Sequence, residues 1–432
     1  MKIIFRIFLF ILTFNLIFAE EKKEGFFDGI KFSGLADILP YFDGRDFSNK
    51  TYMQSFTSSK FRLGAEKWLN EDVGFKINFQ DSRVWGQEGT PTSYIANVDL
   101  IEGYVTLKNI LNTPLSLQAG RFQMNYSNSR FIGTSPWSYV ERSFDGLRFK
   151  LGNDAGYIDG FYTINSANIG KQNRDALVSI YNYPSVPETA YGIYGFWGYY
   201  KLNDNHAINA FGFLEQNEKK SDSVNFDLQR FNVGFDYSGQ FDKFSLSTEF
   251  GYQFGKEKKK DIAAYLVSIN LDYNLSPFKI SIGSDINSGT DPKDKSTKVN
   301  TYYSELGSKH KFFGTMDYFT KIKEATDSLG INDFYLGAVY REKNNPFEAR
   351  LTGHYFMSNK KSSTDKSEFG KEIDILLRYY IAPKTYVEWS GGVFMQGDLM
   401  KDIWIIRNKD GSIKATREDL GLMTYFRIWL EF

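Results

Sequence analysis

Apolar and polar side chains alternate along this chain in segments of about ten residues, and this alternation constrains the fold more than any other feature. In the last segment, MTYFRIWLEF, Phe426 and Phe432 fall on one face while Arg427 and Glu431 fall on the other. A period of two is typical of β-strands. Because one face is apolar and aromatic and the other is mixed, we interpret the segments as strands that contact lipid on one side and water on the other.

The composition limits the classes of protein to which the chain can belong. Aromatic residues form 17% of the 432 residues, but after residue 19 no apolar run approaches the roughly 20 residues that a membrane-spanning helix needs. Basic and acidic residues number 52 each, so the positive surplus typical of nucleic-acid binding is missing. The absence of cysteine excludes disulfides and thiolate metal sites. A transmembrane β-barrel fits these limits.

The first 19 residues have the pattern of a secretory signal peptide. Lys2 and Arg6 precede an apolar run, residues 7–18, and the small residue Ala19 follows it. The alternative is an uncleaved anchor helix, although the run is shorter than the roughly 20 residues that such a helix needs. The sequence therefore predicts a signal peptide at 1–19 and one exported β-barrel domain at 20–432.

Short and long connections follow each other in turn between the alternating segments. Clusters rich in Asn and Asp, such as NED at 70–72 and NDA at 153–155, form short turns, while polar stretches such as 38–58 and 123–143 form long loops. Outer-membrane barrels have this asymmetry, with short periplasmic turns and long extracellular loops. The predicted fold is an all-β, transmembrane, antiparallel up-and-down β-barrel of about 18 strands with both ends in the periplasm. Its last strand must pair with its first, since lipid leaves no water to bond an open sheet edge.

The strand count depends on residues 288–330. HKFFGTMDYF, residues 310–319, also alternates, and counting it as a strand gives 19 strands and places the long connection 358–370 in the periplasm. One long extracellular excursion over 288–330 restores the regular change between short and long connections. The 18 predicted strands then cover residues 27–37, 59–69, 73–83, 98–108, 114–122, 144–151, 155–165, 189–200, 206–216, 228–238, 243–254, 262–274, 277–287, 331–342, 346–357, 371–381, 385–396 and 421–432.

If the apolar face of each strand contacts lipid, the opposite face lines a water-filled bore. The charged residues that this assignment turns inward are Lys60, Arg62, Glu66, Lys76, Arg148, Lys150, Arg230, Asp236, Glu249, Glu348, Arg350, Glu372, Asp374, Arg378, Glu388, Arg427 and Glu431. A bore that carries both signs favours charged or hydroxyl-rich solutes over apolar ones. The alternative is that these charges pair, hold neighbouring strands in register and fill the lumen.

A family resemblance emerges from several longer motifs. They are KFRLGAEKW, INFQDSRVWG, LQAGRFQMNYSNSRFIG and RSFDGLRFKL in the first half, and SIGSDINSGTDPKD, SELGSKHKFFGTMDYF and FGKEIDILLRYY in the second. Together they resemble the alginate-export family of outer-membrane proteins, over residues 59 to 432. The resemblance implies an 18-stranded barrel that passes an anionic polysaccharide outward through an arginine-lined bore.

The same resemblance nominates individual residues and partners. As charges of the bore and its outer constriction it implies Arg62, Asp81, Arg83, Arg121, Arg130, Arg142, Asp145 and Arg148. The loop that carries His310, Lys311 and Asp317 would fold inward and narrow the pore. The aromatic Phe432 resembles the signal that the barrel assembly machinery reads. Inward acidic residues such as Glu102 make the field of the bore less positive than in a strongly anion-selective exporter.

The sequence gives no sign of catalysis, and we predict no cofactor and no metal. Its histidines, His206, His310 and His354, lack a neighbouring serine pattern of the kind that nucleophilic hydrolases need. SGTDPKD at 288–294 does not have the spacing of an EF-hand, which favours a solvated loop. GKEKKKD at 255–261 is a basic loop on the predicted extracellular side, which either contacts lipopolysaccharide phosphates or only opposes aggregation.

These observations predict an outer-membrane channel for diffusion or export of anionic or polar saccharides. The predicted partners are outer-membrane lipid and lipopolysaccharide, the barrel assembly machinery and the solute, without nucleic acid. Two alternatives stay open at this point. One is a general porin for small solutes, and the other is a structural or adhesive barrel with a plugged lumen.

Overall fold

One closed antiparallel sheet of 18 strands forms the molecule in a computed structural model. The structure describes residues 27–47, 54–87, 98–165, 191–217, 227–294, 298–404 and 420–432, so the predicted signal peptide lies outside the described residues. Each strand pairs with the next along the chain, and β1 pairs with β18. The predicted up-and-down barrel of 18 strands is therefore confirmed.

The strands are long, as strands that cross a membrane at a tilt must be. Their bounds are β1 (Lys31–Gly44), β2 (Gln54–Trp68), β3 (Val73–Val84), β4 (Val98–Leu107), β5 (Leu115–Phe122), β6 (Phe144–Asn153), β7 (Gly156–Asn165), β8 (Tyr191–Asn203), β9 (His206–Asn217), β10 (Leu228–Phe241), β11 (Phe244–Glu257), β12 (Lys260–Leu275), β13 (Phe278–Asn287), β14 (Ile331–Arg341), β15 (Phe347–Met357), β16 (Glu368–Ala382), β17 (Thr385–Gln396) and β18 (Leu420–Glu431).

The two faces of the sheet have opposite character. In β18 the outward Phe426 is 55% exposed, whereas its inward neighbour Tyr425 is 3% exposed. Inward carboxylates such as Asp37 and Glu388 are buried within the barrel. This arrangement, with apolar residues outside and charges inside, is the reverse of a water-soluble protein and matches the predicted faces.

The closing pair, β1 with β18, joins the two ends of the sheet. Gly34 and Phe432 exchange both backbone hydrogen bonds, each at 3.1 Å. On the inner side, Arg427 Nε and Nη2 donate to the two carboxylate oxygens of Asp37, each at 2.8 Å. A bidentate guanidinium–carboxylate pair is among the stronger side-chain interactions, so the closure is held on the lumen side as well as along the backbone.

Residues 288–330 form one long excursion, as predicted, and residues 310–319 are not a strand. This excursion contains a short 3-10 turn at Lys309–Lys311 and a single helical turn, α1 (Ile322–Ala325). A second short helix, α2 (Asp398–Ile403), follows β17. Among the described residues, no helix is long and apolar enough to cross a membrane.

Several strands extend further than the sequence predicted. The first strand is displaced from 27–37 to Lys31–Gly44, and the second starts at Gln54, which shortens the predicted loop 38–58. The predicted basic loop 255–261 is reduced to a two-residue turn between β11 and β12. Inward charges such as Glu257 stay in these strands because that face meets a polar interior, while the outward Lys256 and Asp261 lie opposite each other at the rim.

Substitution of Gly34 tests how tightly the closing pair fits. A Cβ atom at Gly34 would lie 2.4 Å from two ring carbons of Phe432. We expect Gly34→Leu to destabilise the barrel by about 1–3 kcal/mol, because overpacking forces side chains and backbone to shift. The measurement is the unfolding temperature of protein refolded in detergent, where no assembly machinery acts.

The control is the same substitution in a Phe432→Ala background. Without the Phe432 ring the leucine has room, so the loss caused by Gly34→Leu should become smaller. An equal loss in both backgrounds would contradict the contact.

Candidate functional site

Two loops fold into the barrel and fill part of its lumen. Loop A, residues 123–143, joins β5 to β6, and loop B, residues 288–330, joins β13 to β14. Each loop carries apolar side chains that pack against inward apolar residues of the wall. Loop A contributes Met124, Tyr126, Phe131 and Ile132 to a cluster with the wall residues Phe161, Trp197 and Phe211.

Loop B joins this cluster through Tyr302 and Leu306, and its later residues pack against a different part of the wall. Its residues Met316, Tyr318, Phe319 and Leu329 form a second cluster with Phe356, Phe369, Phe394 and Tyr425 of the wall. Burying one apolar side chain of this size stabilises by roughly 1.5–3 kcal/mol, so both loops are firmly held. These clusters were not predicted from the sequence. Apolar residues at inward positions, such as Trp197 and Phe394, indicate them, because a bore filled only with water would be lined by polar side chains.

Arg130 fixes loop A to the opposite wall. Its guanidinium forms ion pairs with Glu249 of β11 and, at 2.9 Å, with Asp285 of β13, and its carbon Cζ lies 3.8 Å from the ring centre of Phe312. Burial alone would lower the pKa of Arg130, but Asp285 and Glu249 outweigh burial and raise this pKa above its ordinary value. The family resemblance implied that Arg130 is a charge of the bore, and in the structure its ion pairs hold loop A to the wall.

Arg142 joins the two loops to each other. Its Nη1 donates to the carbonyl oxygens of Gly133 in loop A, at 2.6 Å, and of Leu306 and Gly307 in loop B. Its Nη2 donates to the carbonyl oxygen of Glu305 at 2.7 Å. Arg142 therefore uses its planar set of donors to fasten backbone to backbone.

Acidic residues of β16 anchor the tip of loop B. The backbone N–H of Thr315 donates to Asp374 at 3.2 Å, and that of Met316 donates to Glu372 at 2.9 Å. Gly314 precedes them with φ +80°, and a Cβ atom there would lie 2.3 Å from Glu372. Because the left-handed backbone and the close approach both require glycine, the sequence GTM positions this tip.

The three residues predicted to narrow the pore lie together where the loops meet. The ring of His310 in loop B stacks on Trp137 of loop A, with centroids 3.8 Å apart and planes 5° apart. His310 Nδ1 lies 2.8 Å from Asp317 Oδ1. Lys311 Nζ donates to the carbonyl oxygen of Asn128 at 2.8 Å. We call this group, Trp137, His310, Lys311 and Asp317, the constriction.

Two cavities meet at the constriction. One, of about 610 Å³, is lined by loops A and B alone, and the other, of about 400 Å³, is lined mainly by the inner wall from β11 to β17. His310 and Lys311 border both cavities. Burial, assisted by Arg130, lowers the pKa of Lys311, although Glu249 opposes the shift. Within the described part of the chain, no carboxylate lies at ion-pair distance from the Lys311 ammonium group.

Four of the predicted bore residues do line the lumen, and each has a partner there. Arg62 pairs with Glu141 of loop A at 2.8 Å, and Lys76 pairs with Glu102 at 2.6 Å. Arg148 pairs with Asp159 of β7. The Lys150 ammonium group lies 3.9 Å from the ring centre of Tyr157.

Four other predicted residues do not lie in the bore, and here the resemblance misled the sequence analysis. Asp81 is opposite Phe61 in the ladder and Arg121 is opposite Asp145, while Asp145 alternates in step with the outward Leu147. Asp81 with Arg83, and Arg121 with Asp145 at 2.7 Å, form ion pairs on the outer face. The period of two places these residues outside, and the positions carried over from the family ignored that period.

Comparison with known proteins agrees with this architecture. A family model described as alginate export matches residues 40–405. The solved structure of Pseudomonas aeruginosa OccK8 (OprE) has a TM-score of 0.59 at 12% identity, over 94% of this chain and 99% of that chain. The structure of Acinetobacter baumannii OccAB1 has a TM-score of 0.60 at 10% identity, over 96% of this chain and 99% of that chain. The structure of P. aeruginosa OpdK with vanillate has a TM-score of 0.55 at 10% identity, over 93% of this chain and 99% of that chain. No curated protein sequence matches.

Removing the charge of Arg130 tests the attachment of loop A. We expect Arg130→Met to cost about 3–5 kcal/mol of stability, because Glu249 and Asp285 would be left buried without their cation. Loss of the attachment should also raise the single-channel conductance. Thermal unfolding and planar-bilayer recording measure the two effects.

Arg83→Met, on the outer face, is the matched control and should change neither quantity appreciably. Adding Glu249→Gln and Asp285→Asn to Arg130→Met should recover part of the stability. A conductance and unfolding temperature unchanged in Arg130→Met would contradict the assigned role.

Proposed function

This chain belongs to the alginate-export family, and on that premise we propose that it passes small anionic or polar saccharides across the bacterial outer membrane, in which it lies. The barrel is an outer-membrane channel of the porin type. Its saccharide specificity is the part that we propose. The charge and shape of the constriction support this specificity.

One observation carries the proposal, namely that Lys311 borders both cavities without a carboxylate partner among the described residues. Lumen cations such as Arg62, Arg130 and Arg148 are paired with carboxylates, so their fields largely cancel. Lys311 and Arg142, whose guanidinium donates only to backbone carbonyls, therefore keep their positive charge without a carboxylate partner among the described residues beside the cavity between the loops. An acidic group of a solute would be attracted there.

Neighbouring groups of the constriction suit a sugar ring. The stacked rings of Trp137 and His310 present a flat, partly apolar surface to the cavity between the loops. Polar side chains such as Ser129 and Thr134 line the same cavity and offer donors and acceptors for hydroxyl groups. A sugar acid can thus place its ring on the aromatic surface, its hydroxyl groups against the polar side chains and its carboxylate near Lys311.

The size of the cavities favours small solutes over a polymer. Volumes of about 400 and 610 Å³ fall in the range of roughly 300–1,000 Å³ that encloses small-molecule ligands. OpdK, which shares this fold, was solved with vanillate, a small carboxylate, and that supports a small anion as the solute of this barrel too. We therefore infer sugar acids of about one or two rings as the preferred solutes.

A catalytic role is not part of the proposal. His206 bonds the hydroxyl of Tyr237, His310 bonds Asp317, and His354 bonds Asp333. Pairings of this kind position side chains and do not activate a serine nucleophile.

The apolar clusters favour a second candidate, a structural barrel whose lumen stays filled. Both loops are packed on the wall by residues such as Phe131 and Phe319, which would hold a permanent plug equally well. Conductance separates the two functions. A permanent plug gives almost no current in a planar bilayer, whereas the proposed channel gives an anion-selective current.

Reversing the charge of Lys311 tests the proposal. We expect Lys311→Glu to lower the ratio of anion to cation permeability about fivefold or more, because a negative charge would then dominate the constriction. Current block by glucuronate should weaken in parallel. The reversal potential in a salt gradient measures the first effect, and the concentration of glucuronate for half block measures the second.

Lys384→Glu, in a periplasmic turn, makes the same change of charge far from the constriction and serves as control. Its reversal potential should match that of the unaltered protein. The proposal fails if Lys311→Glu and Lys384→Glu shift the reversal potential equally.

A further inference from the structure

The hairpin of β11 and β12 is unusual among the extracellular connections. Its turn consists of Lys258 and Lys259 alone, whereas each other extracellular connection spans at least nine residues. Four exposed lysines, Lys256, Lys258, Lys259 and Lys260, occupy this tip, which we call the basic tip. We propose that the basic tip and the outward aromatic residues below it bind a phosphorylated glycolipid of the outer leaflet, of the lipid A type.

The short turn keeps the lysines at the level of the lipid headgroups. In a long loop such charges would project into the medium, but a two-residue turn keeps them at the rim of the barrel. Negative headgroups lie at this level of a membrane, and each lysine near the surface adds attraction that decays within about a Debye length, roughly 8–10 Å.

The lysine ammonium groups of the basic tip can bind an anionic ligand, because the acidic residues that the structure describes nearby do not form ion pairs with them. Glu257, the acidic residue within the tip, forms an ion pair with Lys323 of loop B at 2.6 Å. Asp261 lies opposite Lys256 in the ladder and offsets part of its charge, but four lysines against this one carboxylate leave the tip with a positive surplus. Across the described ranges, none of the four ammonium groups has a carboxylate at ion-pair distance.

Aromatic side chains continue the surface toward the membrane. Tyr252, Phe254 and Phe231 face outward, and Phe254 lies with its ring centre 5.1 Å from that of Phe231 and 6.2 Å from that of Tyr252. Lys256 follows Phe254 at the next outward position, about 6.8 Å higher along an antiparallel strand. Acyl chains can therefore pack on the rings while phosphates reach the lysines.

The backbone conformation of the turn makes Lys258 an unusual residue at its position. Lys258 has φ +55°, the left-handed conformation that favours glycine or asparagine. Two-residue hairpin turns normally place glycine, asparagine or aspartate at such positions. A lysine here weakens the turn, and the gain that offsets this loss is the added positive charge at the rim. Several clustered ammonium groups fit a lipid with two phosphates better than one with a single phosphate.

Titration of the full-length protein, refolded in detergent, with bisphosphorylated lipid A tests the proposal by native mass spectrometry. Changing Lys256, Lys258, Lys259 and Lys260 together to alanine should raise the apparent Kd about tenfold or more, as the electrostatic part of binding is lost. The matched control changes Lys201, Lys243, Lys343 and Lys384 to alanine. It removes the same charge near the periplasmic turns and should leave the Kd unaltered.

Lys258→Gly separates binding from folding. Glycine suits the left-handed turn, so this variant should keep or raise the unfolding temperature while it weakens lipid A binding about threefold. Stronger or equal binding by Lys258→Gly would overturn the role of this lysine.

Three further results would overturn the proposal. They are equal binding by the quadruple variant of the basic tip and the unaltered protein, equal binding of dephosphorylated lipid A, and equal binding of phosphatidylglycerol. None of them bears on ion selectivity, so failure here is distinct from failure of the proposed transport function.

Discussion

Hydrocarbon cannot form hydrogen bonds, and this single constraint shapes the whole molecule. Every backbone N–H and C=O group at membrane depth must find a partner within the sheet, so the sheet has to close. The exchange of two hydrogen bonds between Gly34 and Phe432 and the pair of Arg427 with Asp37 complete that closure. Once the wall is closed, the alternation of side chains decides which residues meet lipid and which meet the lumen.

The sequence predicted the wall well because its signal is local. A period of two can be read within one strand, so the number of strands and the two faces of β18 were predicted correctly. Strand ends were predicted less well, as at β1 and at the β11–β12 hairpin, because charged residues continue these strands, inward ones beside the polar lumen and outward ones such as Lys256 at the rim. Asp81 and Asp145 were misplaced where family resemblance was followed against the alternation.

The interior was harder to predict because its contacts join distant parts of the chain. Arg130 is 119 residues from Glu249 and 155 from Asp285, and no short motif reports such a pairing. His310, Lys311 and Asp317 lie close together in loop B, but the stacking partner of His310, Trp137, comes from the other loop. Inward apolar residues such as Trp197 and Phe356 were the readable sign that something packs inside this barrel.

Arg142 has a consequence for how the interior of this barrel can be altered. Because its guanidinium holds carbonyl groups of both loops, the loops form one composite insert within the wall. A change in the length or backbone of one loop disturbs the bonds made by the other. A redesign of one loop therefore requires a compensating change in the other, whereas a substitution on the outward face of the barrel leaves these bonds in place.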